Sequence, residues 1–527
     1  MHPKKFILKR SIISLFLCLL TLCPIPFAFA NNLQITNVSL EDRDSTLKTA
    51  IVEFDISWDN SWRTTTNHDA VWVFLKVSIN GGTPVHGILY SAGADPLGTS
   101  PGTNPDGEII VPSDKMGAFI RRKASGLPGT AITLNVRLKL DYGATGAANT
   151  DTILVKVFGT EMVYIPAVTF NAGDNAAATA SLKAGSASTT PWSISSEAAI
   201  SVTAATGGGY YYVSGGNAGE AATGSTFTIP AAFPKGYAAF YCMKYEITEG
   251  QWVDFVNNLS AAAGGKRDLT DASHKNSDAV VNRNTLNCTG GGLGGPLVCS
   301  TTRPDRALGY LTWMDLMAFL DWAALRPMTE LEFEKTARGS LSSVNSEYAW
   351  GTTTGTAATT ISGSEDGTET AGVVGANTNV ANLTFTGGDG GTGPLRGGIF
   401  ATASSTRVSS GAGYYGAMEL SGNLWERVVG IGNSTGRSFT GTHGDGVLTT
   451  TASYEGNATN TDWPGIDATT ARGVTGATGG GFKGGDWFNG GTYLMISDRA
   501  IATDDITASV SGGRGVRTCS DAVPLCP

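Results

Sequence analysis

Between Leu33 and about Glu161, apolar and polar positions alternate with a period of two. Val52, Phe54, Ile56 and Trp58 interleave with Glu53, Asp55 and Ser57, and Ile132, Leu134, Val136, Leu138 and Leu140 interleave with polar neighbours. Successive side chains of a strand point to opposite faces, so this pattern predicts antiparallel strands with one face buried. Further strand patterns at 70–79, 108–111, 116–122 and 153–158 are separated by Gly, Pro, Asn and Asp clusters. Together they predict an all-β sandwich over residues 31–161. Its Trp58, Trp62 and Trp72 either pack its core and rim or line a ligand face.

From Met162 the pattern changes. Residues up to about Phe233 are rich in Ala, Gly, Ser and Thr and predict loops with short strands. Thr248-Glu249-Gly250-Gln251 forms a capping box, with Trp252, Phe255, Val256 and Leu259 on one face of the helix that follows. A second helix is predicted from Thr312 to about Trp322. A third is capped at Thr329-Glu330-Leu331-Glu332 and ends at Arg338-Gly339. Residues 340–480 show little periodicity and much Gly, Thr and Asn, which predicts irregular backbone. Few helices among many loops predict an α+β domain over 162–520, with a tail at 521–527.

The first thirty residues alter the picture. Lys4, Lys5, Lys9 and Arg10 precede a short apolar run, and Ala28-Phe29-Ala30 is a small-residue cleavage site, so 1–30 reads as a secretory signal peptide. Leu22 before Cys23 argues against a lipid-modified start, and Pro24 and Pro26 break the run before it spans a bilayer. The expected mature protein is exported to the periplasm, the cell surface or the medium, with no membrane span after cleavage. The formal charge of -9 becomes -13 without the four signal cations, which excludes nucleic acid and anionic lipid as partners. Of the seven cysteines, five remain: Cys242, Cys288, Cys299, Cys519 and Cys526. In an oxidising compartment the simplest pairing is two local staples, Cys288 with Cys299 and Cys519 with Cys526.

Four separated stretches carry a family resemblance. They are Tyr245-Glu246-Ile247-Thr248-Glu249-Gly250-Gln251, Leu325-Arg326-Pro327-Met328-Thr329-Glu330-Leu331-Glu332-Phe333-Glu334, Met418-Glu419-Leu420-Ser421-Gly422-Asn423-Leu424-Trp425-Glu426 and Gly512-Gly513-Arg514-Gly515-Val516-Arg517. In order and spacing, and with Tyr348-Ala349-Trp350-Gly351, they resemble the sulfatase-modifying factor (formylglycine-generating enzyme-like) family over 162–518. The resemblance implies a variant of the C-type lectin fold.

The oxidase branch of that family depends on a cysteine pair that binds copper(I), after a Gly-Gly-Ser-aromatic stretch. Here that stretch is Gly484-Gly485-Asp486-Trp487, and the cysteine positions fall on Asn489 and Leu494. No cysteine lies between Cys299 and Cys519, so the soft thiolates copper(I) prefers are missing from the expected place. The iron-dependent sulfoxide-synthase branch needs a helical domain supplying histidines, whereas His2, His68, His86, His274 and His443 show no metal-ligand spacing.

The resemblance also implies a structural calcium site made by the Glu419 and Glu426 side chains with the Gly422 and Leu424 carbonyls, and a looser second site at Asn382 and Asp389. It places a recognition groove over 486–499, where Phe488, Asn489, Thr492, Leu494, Met495 and Asp498 are the candidate ligand contacts, while Trp487 and Arg499 fit a buried core role. Residues 484–517 further resemble the variable region of retroelement-diversified proteins on this scaffold. The expected function is a non-catalytic binding or surface-display protein for an extracytoplasmic protein or glycan. A formylglycine-generating oxidoreductase acting on sulfatase cysteines and a structural envelope-assembly component stand as alternatives.

Overall fold

The computed structural model describes residues 32–174, 180–291, 296–504 and 508–519. The expected signal segment at 1–30, Cys526 and the expected tail at 521–527 lie outside the described residues. Strands β1 (Gln34–Asp44) and β2 (Thr49–Arg63) pair antiparallel, and Leu127–Asp141 lines the other edge of β2, with Thr49 opposite Asp141 and Trp58 opposite Ile132. Facing this sheet is β3 (Asp69–Ile79), flanked by Ala118–Arg122 and Ile153–Ile165. Val52, Phe54 and Ile56 of one sheet and Val71, Val73, Leu75 and Val77 of the other are fully buried in one apolar cluster. Each such side chain contributes about 1.5–3 kcal/mol. The period-two stretches therefore form a sandwich, as the alternation requires.

The second sheet continues beyond the sandwich. Ile153–Ile165 pairs with β3 from Ile79↔Ile153 to Asp69↔Val163, and its last residues pair with Phe240–Met243, which pairs in turn with Gly515–Thr518. Among the described residues, nine strands make up this sheet, and the chain passes position 161 inside a single strand. Gly159 permits the close packing there, since a Cβ would lie 2.9 Å from Ile35 Cδ1.

The helices begin where the capping patterns place them. Thr248 caps α1 (Glu249–Val256) with Gln251 closing the box, and a short α2 (Ala261–Lys266) follows. Thr312 with Asp315 caps α3 (Trp313–Trp322), and Thr329 with Glu332 caps α4 (Glu330–Arg338). Phe255 of α1 packs on Phe319 and Trp322 of α3, with ring centroids 5.7 and 5.3 Å apart. Every residue of α4 is buried although six of its nine side chains are polar or charged. Its charges are matched by Arg326 on Glu332, Lys483 on Glu334, and Arg499 on Glu330, as buried ions require.

A smaller sheet joins Gly480–Lys483, Trp425–Val429 and Ser511–Gly512. Cys288 and Cys299 form the expected disulfide, Cys519 is also disulfide-bonded, and Cys242 is free and buried. Trp58 and Trp72 are core residues, and Trp72 Nε1 donates to the Ala323 carbonyl at 2.9 Å, tying the sandwich to the end of α3. Trp62 is half-buried, with the Lys244 ammonium 5.3 Å from its ring centre. Among the described residues no helix is long and apolar enough to cross a membrane.

Candidate functional site

The turn preceding the strand Trp425–Val429 holds the acidic candidates. Its path needs left-handed backbone at Glu419 (φ 54°), Gly422 (φ 98°) and Asn423 (φ 68°). Only glycine fits at 422, where a Cβ would meet Thr378 Oγ1 at 2.5 Å and the Asn379 carbonyl at 2.6 Å. Asn423 cross-links the turn: its Oδ1 accepts from Asn379 Nδ2 at 3.0 Å and the Leu395 amide at 2.8 Å, and its Nδ2 donates to the Glu246 carboxylate. The Leu424 amide donates to Glu246 Oε1 at 2.9 Å.

Three buried carboxylates surround one guanidinium. Arg514 Nε donates to Glu426 Oε1 at 2.6 Å, and its remaining nitrogens reach the Met243, Lys244 and Met418 carbonyls. Glu419 Oε1 accepts from the Gly398 amide at 2.8 Å. Burial raises all three carboxyls: Glu419 is pushed up to about 7, Glu426 is raised, and Glu246 is raised well above its usual range by burial and by the neighbouring Glu426. Glu419 Oε2 and Glu426 Oε2 are buried with no hydrogen-bond partner among the described residues. Ionised, the cluster carries more negative charge than Arg514 cancels, and two oxygens stand open to a cation. No group of three or more His, Cys, Asp or Glu side chains forms a metal cage among the described residues. A cation here therefore needs backbone carbonyls beside the carboxylates, which is how calcium sites are completed.

The 484–499 segment lies against this turn. Gly484 and Gly485 adopt positive φ, and Asp486 then accepts from the Phe488 amide (2.7 Å), the Asn489 amide (2.6 Å) and Asn489 Nδ2 (2.7 Å). The Trp487 amide donates to the Asn423 carbonyl at 2.9 Å, coupling the loop to the acidic turn. Phe488 is 52% exposed and Thr492 is exposed, while Asn489, Tyr493 and Met495 are half-buried. These form a surface patch.

Two expected contacts are not on that patch. Leu494 ends a 3-10 turn (Gly491–Leu494) and is 2% exposed, and its backbone carbonyl accepts from Ser421 Oγ at 2.7 Å. Asp498 is buried, its Oδ1 accepting from the Ala500 amide at 3.1 Å and its carbonyl accepting from Lys483 Nζ. Inward packing of an apolar residue at the end of a tight turn and a local turn bond explain both placements. Trp487 and Arg499 are buried, Arg499 in a network with Glu330, Glu220 and Tyr212.

Asn382 is exposed, and its amide donates to the Trp487 carbonyl at 2.7 Å. Asp389 is instead held by Arg303 and Arg306, whose guanidiniums keep its carboxyl far below the usual range. The residues of the looser second site are thus engaged with different partners.

The family model described as FGE-sulfatase, the sulfatase-modifying factor enzyme 1-like domain, matches residues 203–519. The chain belongs to the FGE-sulfatase family. Among solved structures, the FGE-sulfatase chain is similar to Treponema denticola variable protein 1, at 13% identity and a TM-score of 0.30, covering 68% of this chain and 96% of that one. It is also similar to PvdO from Pseudomonas aeruginosa, at 14% identity and a TM-score of 0.29, covering 68% and 94%. No curated protein is significantly similar.

Within the FGE-sulfatase domain, the motif residues prove to be the joints of the fold. Arg514 anchors Glu426, Arg326 anchors the Glu332 of a capping box, and Thr248 caps α1. Glu246 stands in its motif with no role evident from the sequence. A carboxylate between the apolar Tyr245 and Ile247, in a segment otherwise fit for the core, was the signal available.

Proposed function

We propose that the protein is an exported, non-catalytic binding or display protein. In this reading the N-terminal sandwich carries a calcium-stabilised FGE-sulfatase domain, whose 486–499 loop meets a protein or glycan. The observation that carries it is Phe488, a large apolar side chain 52% exposed on a loop whose backbone Asp486 pins. An aromatic held in solvent on fixed backbone, beside Thr492, Asn489 and Met495, suits recognition.

At the two positions that the resemblance assigns to the oxidase cysteines, Asn489 is engaged with Asp486 and Leu494 is packed inward. Neither supplies a thiolate for copper. The calcium reading fits the open carboxylate oxygens: Glu419 and Glu426 with the Gly422 and Leu424 carbonyls would hold the ion. Bound calcium would neutralise the buried carboxylates and fix the turn against which Trp487 rests.

The test combines metal titration with glycan-array binding on the purified protein and a Phe488→Ala variant. Calcium binding without tight copper(I), with array binding that Phe488→Ala abolishes, supports the reading. Stoichiometric tight copper(I) with conversion of a cysteine peptide to formylglycine overturns it in favour of the oxidoreductase. Reproducible self-association without any ligand moves the protein to the envelope-assembly reading.

A further inference from the structure

A second site lies away from the 486–499 loop, where the sandwich meets the helices. An open cleft of about 640 Å³ is bordered by the start of β1, the strand Ile153–Ile165, α1 and α3. That volume is in the range of small-molecule pockets. The sandwich contributes one wall, and the family model does not reach it, beginning only at residue 203.

The walls differ in chemistry. One is aromatic: Phe74, Phe158 and Trp322 pack mutually, with ring centroids 5.6 Å (Phe74 to Phe158), 5.0 Å (Phe158 to Trp322) and 5.1 Å (Phe74 to Trp322) apart, and Phe319 lies beside them. The other is acidic: Glu161, Glu246, Asp254 and Asp305 all line the cavity, against a single lining base, Lys156, whose ammonium donates to Asn258 Oδ1 at 2.8 Å.

Glu161 is the telling residue. It is 5% exposed; its Oε2 accepts from Lys244 Nζ at 2.8 Å, and its Oε1 has no hydrogen-bond partner among the described residues. A buried carboxylate oxygen left unpaired beside a cavity is costly, and a small side-chain turn towards a donor in the cavity would relieve it. Asp305 adds to the demand for positive charge, since burial pushes its carboxyl up to about 6 and Glu369 and Glu161 oppose its ionisation, against the Arg396 guanidinium.

We infer that this cleft binds a small organic cation, an ammonium or guanidinium carried on an apolar body. The charged group meets Glu161 and Asp305, and the body lies on the Phe74, Phe158 and Trp322 rings. The rings accept a flat apolar body, and recognition of the charge falls to the carboxylates, since the Lys76 ammonium already lies 4.9 Å from the Trp322 ring centre. Phosphorylated and carboxylated ligands are disfavoured by the same acidic wall.

The experiment is calorimetric titration of the purified full-length protein with tyramine and agmatine, and in parallel with neutral 4-ethylphenol and anionic 4-hydroxyphenylacetate. The expected result is binding of a cationic probe at least about tenfold tighter than 4-ethylphenol, the factor that roughly 1.4 kcal/mol of charge recognition supplies, with no binding of the anion. Asp305→Asn, a near-isosteric change, and Phe158→Leu, which keeps an apolar side chain, should each weaken that binding about tenfold with the thermal midpoint little changed. Equal affinity for the neutral probe would show an apolar pocket without cation recognition. Cation binding untouched by both variants would place it elsewhere on the surface, and no cation binding up to about 10 mM, weaker than a Kd worth roughly 3 kcal/mol, would mean the cleft is not a cation site. Each of these results overturns the inference.

Discussion

Glu426 and Arg514, 88 residues apart in the chain, form an ion pair from which solvent is wholly excluded, both side chains being 0% exposed. Arg514 is the nearest compensation for Glu246, Glu419 and Glu426 together, so the pair governs both stability and the charge of the acidic turn.

Replacing Arg514 with Met leaves buried carboxylates without their cation. The expected loss is about 3–5 kcal/mol in urea unfolding, as for other broken buried pairs. Arg514→Met with Glu426→Gln should recover part of it, because the remaining charge is smaller.

Calcium should abolish a pH dependence. Glu419 has a folded-state pKa of about 7, above its ordinary 4.5. The metal-free folded state therefore holds a proton that the unfolded chain has released, and its stability falls as pH rises from about 4.5 through 7. Saturating calcium requires the ionised form, so with calcium the fall should disappear and the thermal midpoint should stay level across that window, and binding near pH 6 should release protons measurable in buffers of different ionisation heat. Glu419→Gln should remove both effects.

His274 gives a second fall at higher pH. Burial pulls its pKa down, but Asp315 at 2.9 Å and Asp271 at 2.8 Å outweigh that and raise it to about 9. The stabilisation is complete below about 6.5 and fades as pH rises towards 9, up to about 3 kcal/mol in all. Chemical denaturation at pH 6.5 and pH 10 should show this difference shrinking in His274→Gln.

Neighbours on the 486–499 loop should behave differently. Phe488→Ala should change unfolding stability by less than about 0.5 kcal/mol and abolish ligand binding. Leu494→Ala should cost about 2–5 kcal/mol, because it opens a cavity under the loop.

Local chemistry was legible in the chain. The Thr248, Thr312 and Thr329 caps each act within four residues, and alternation fixed which face of β2 is inward. The irregular 340–480 stretch was foreseen from its Gly and Thr content. Contacts that join distant positions left no local mark. The Lys244–Glu161 pair spans 83 residues, and the cleft carboxylates Glu161 and Asp305 come from different regions brought together only by folding. The inward Leu494 was missed because its exposure depends on a turn whose handedness a run of Gly, Thr and Tyr does not declare. The Asp486 to Asn489 bonds were equally hidden, although Asp followed by Asn three positions on is a turn signal in retrospect.

The strand Ile153–Ile165 pairs with β3 along most of its length and with Phe240–Met243 at its end, so one hydrogen-bonded sheet runs from the sandwich into the larger region. A substitution that breaks this strand's pairing should therefore disturb the structure on both sides of position 161.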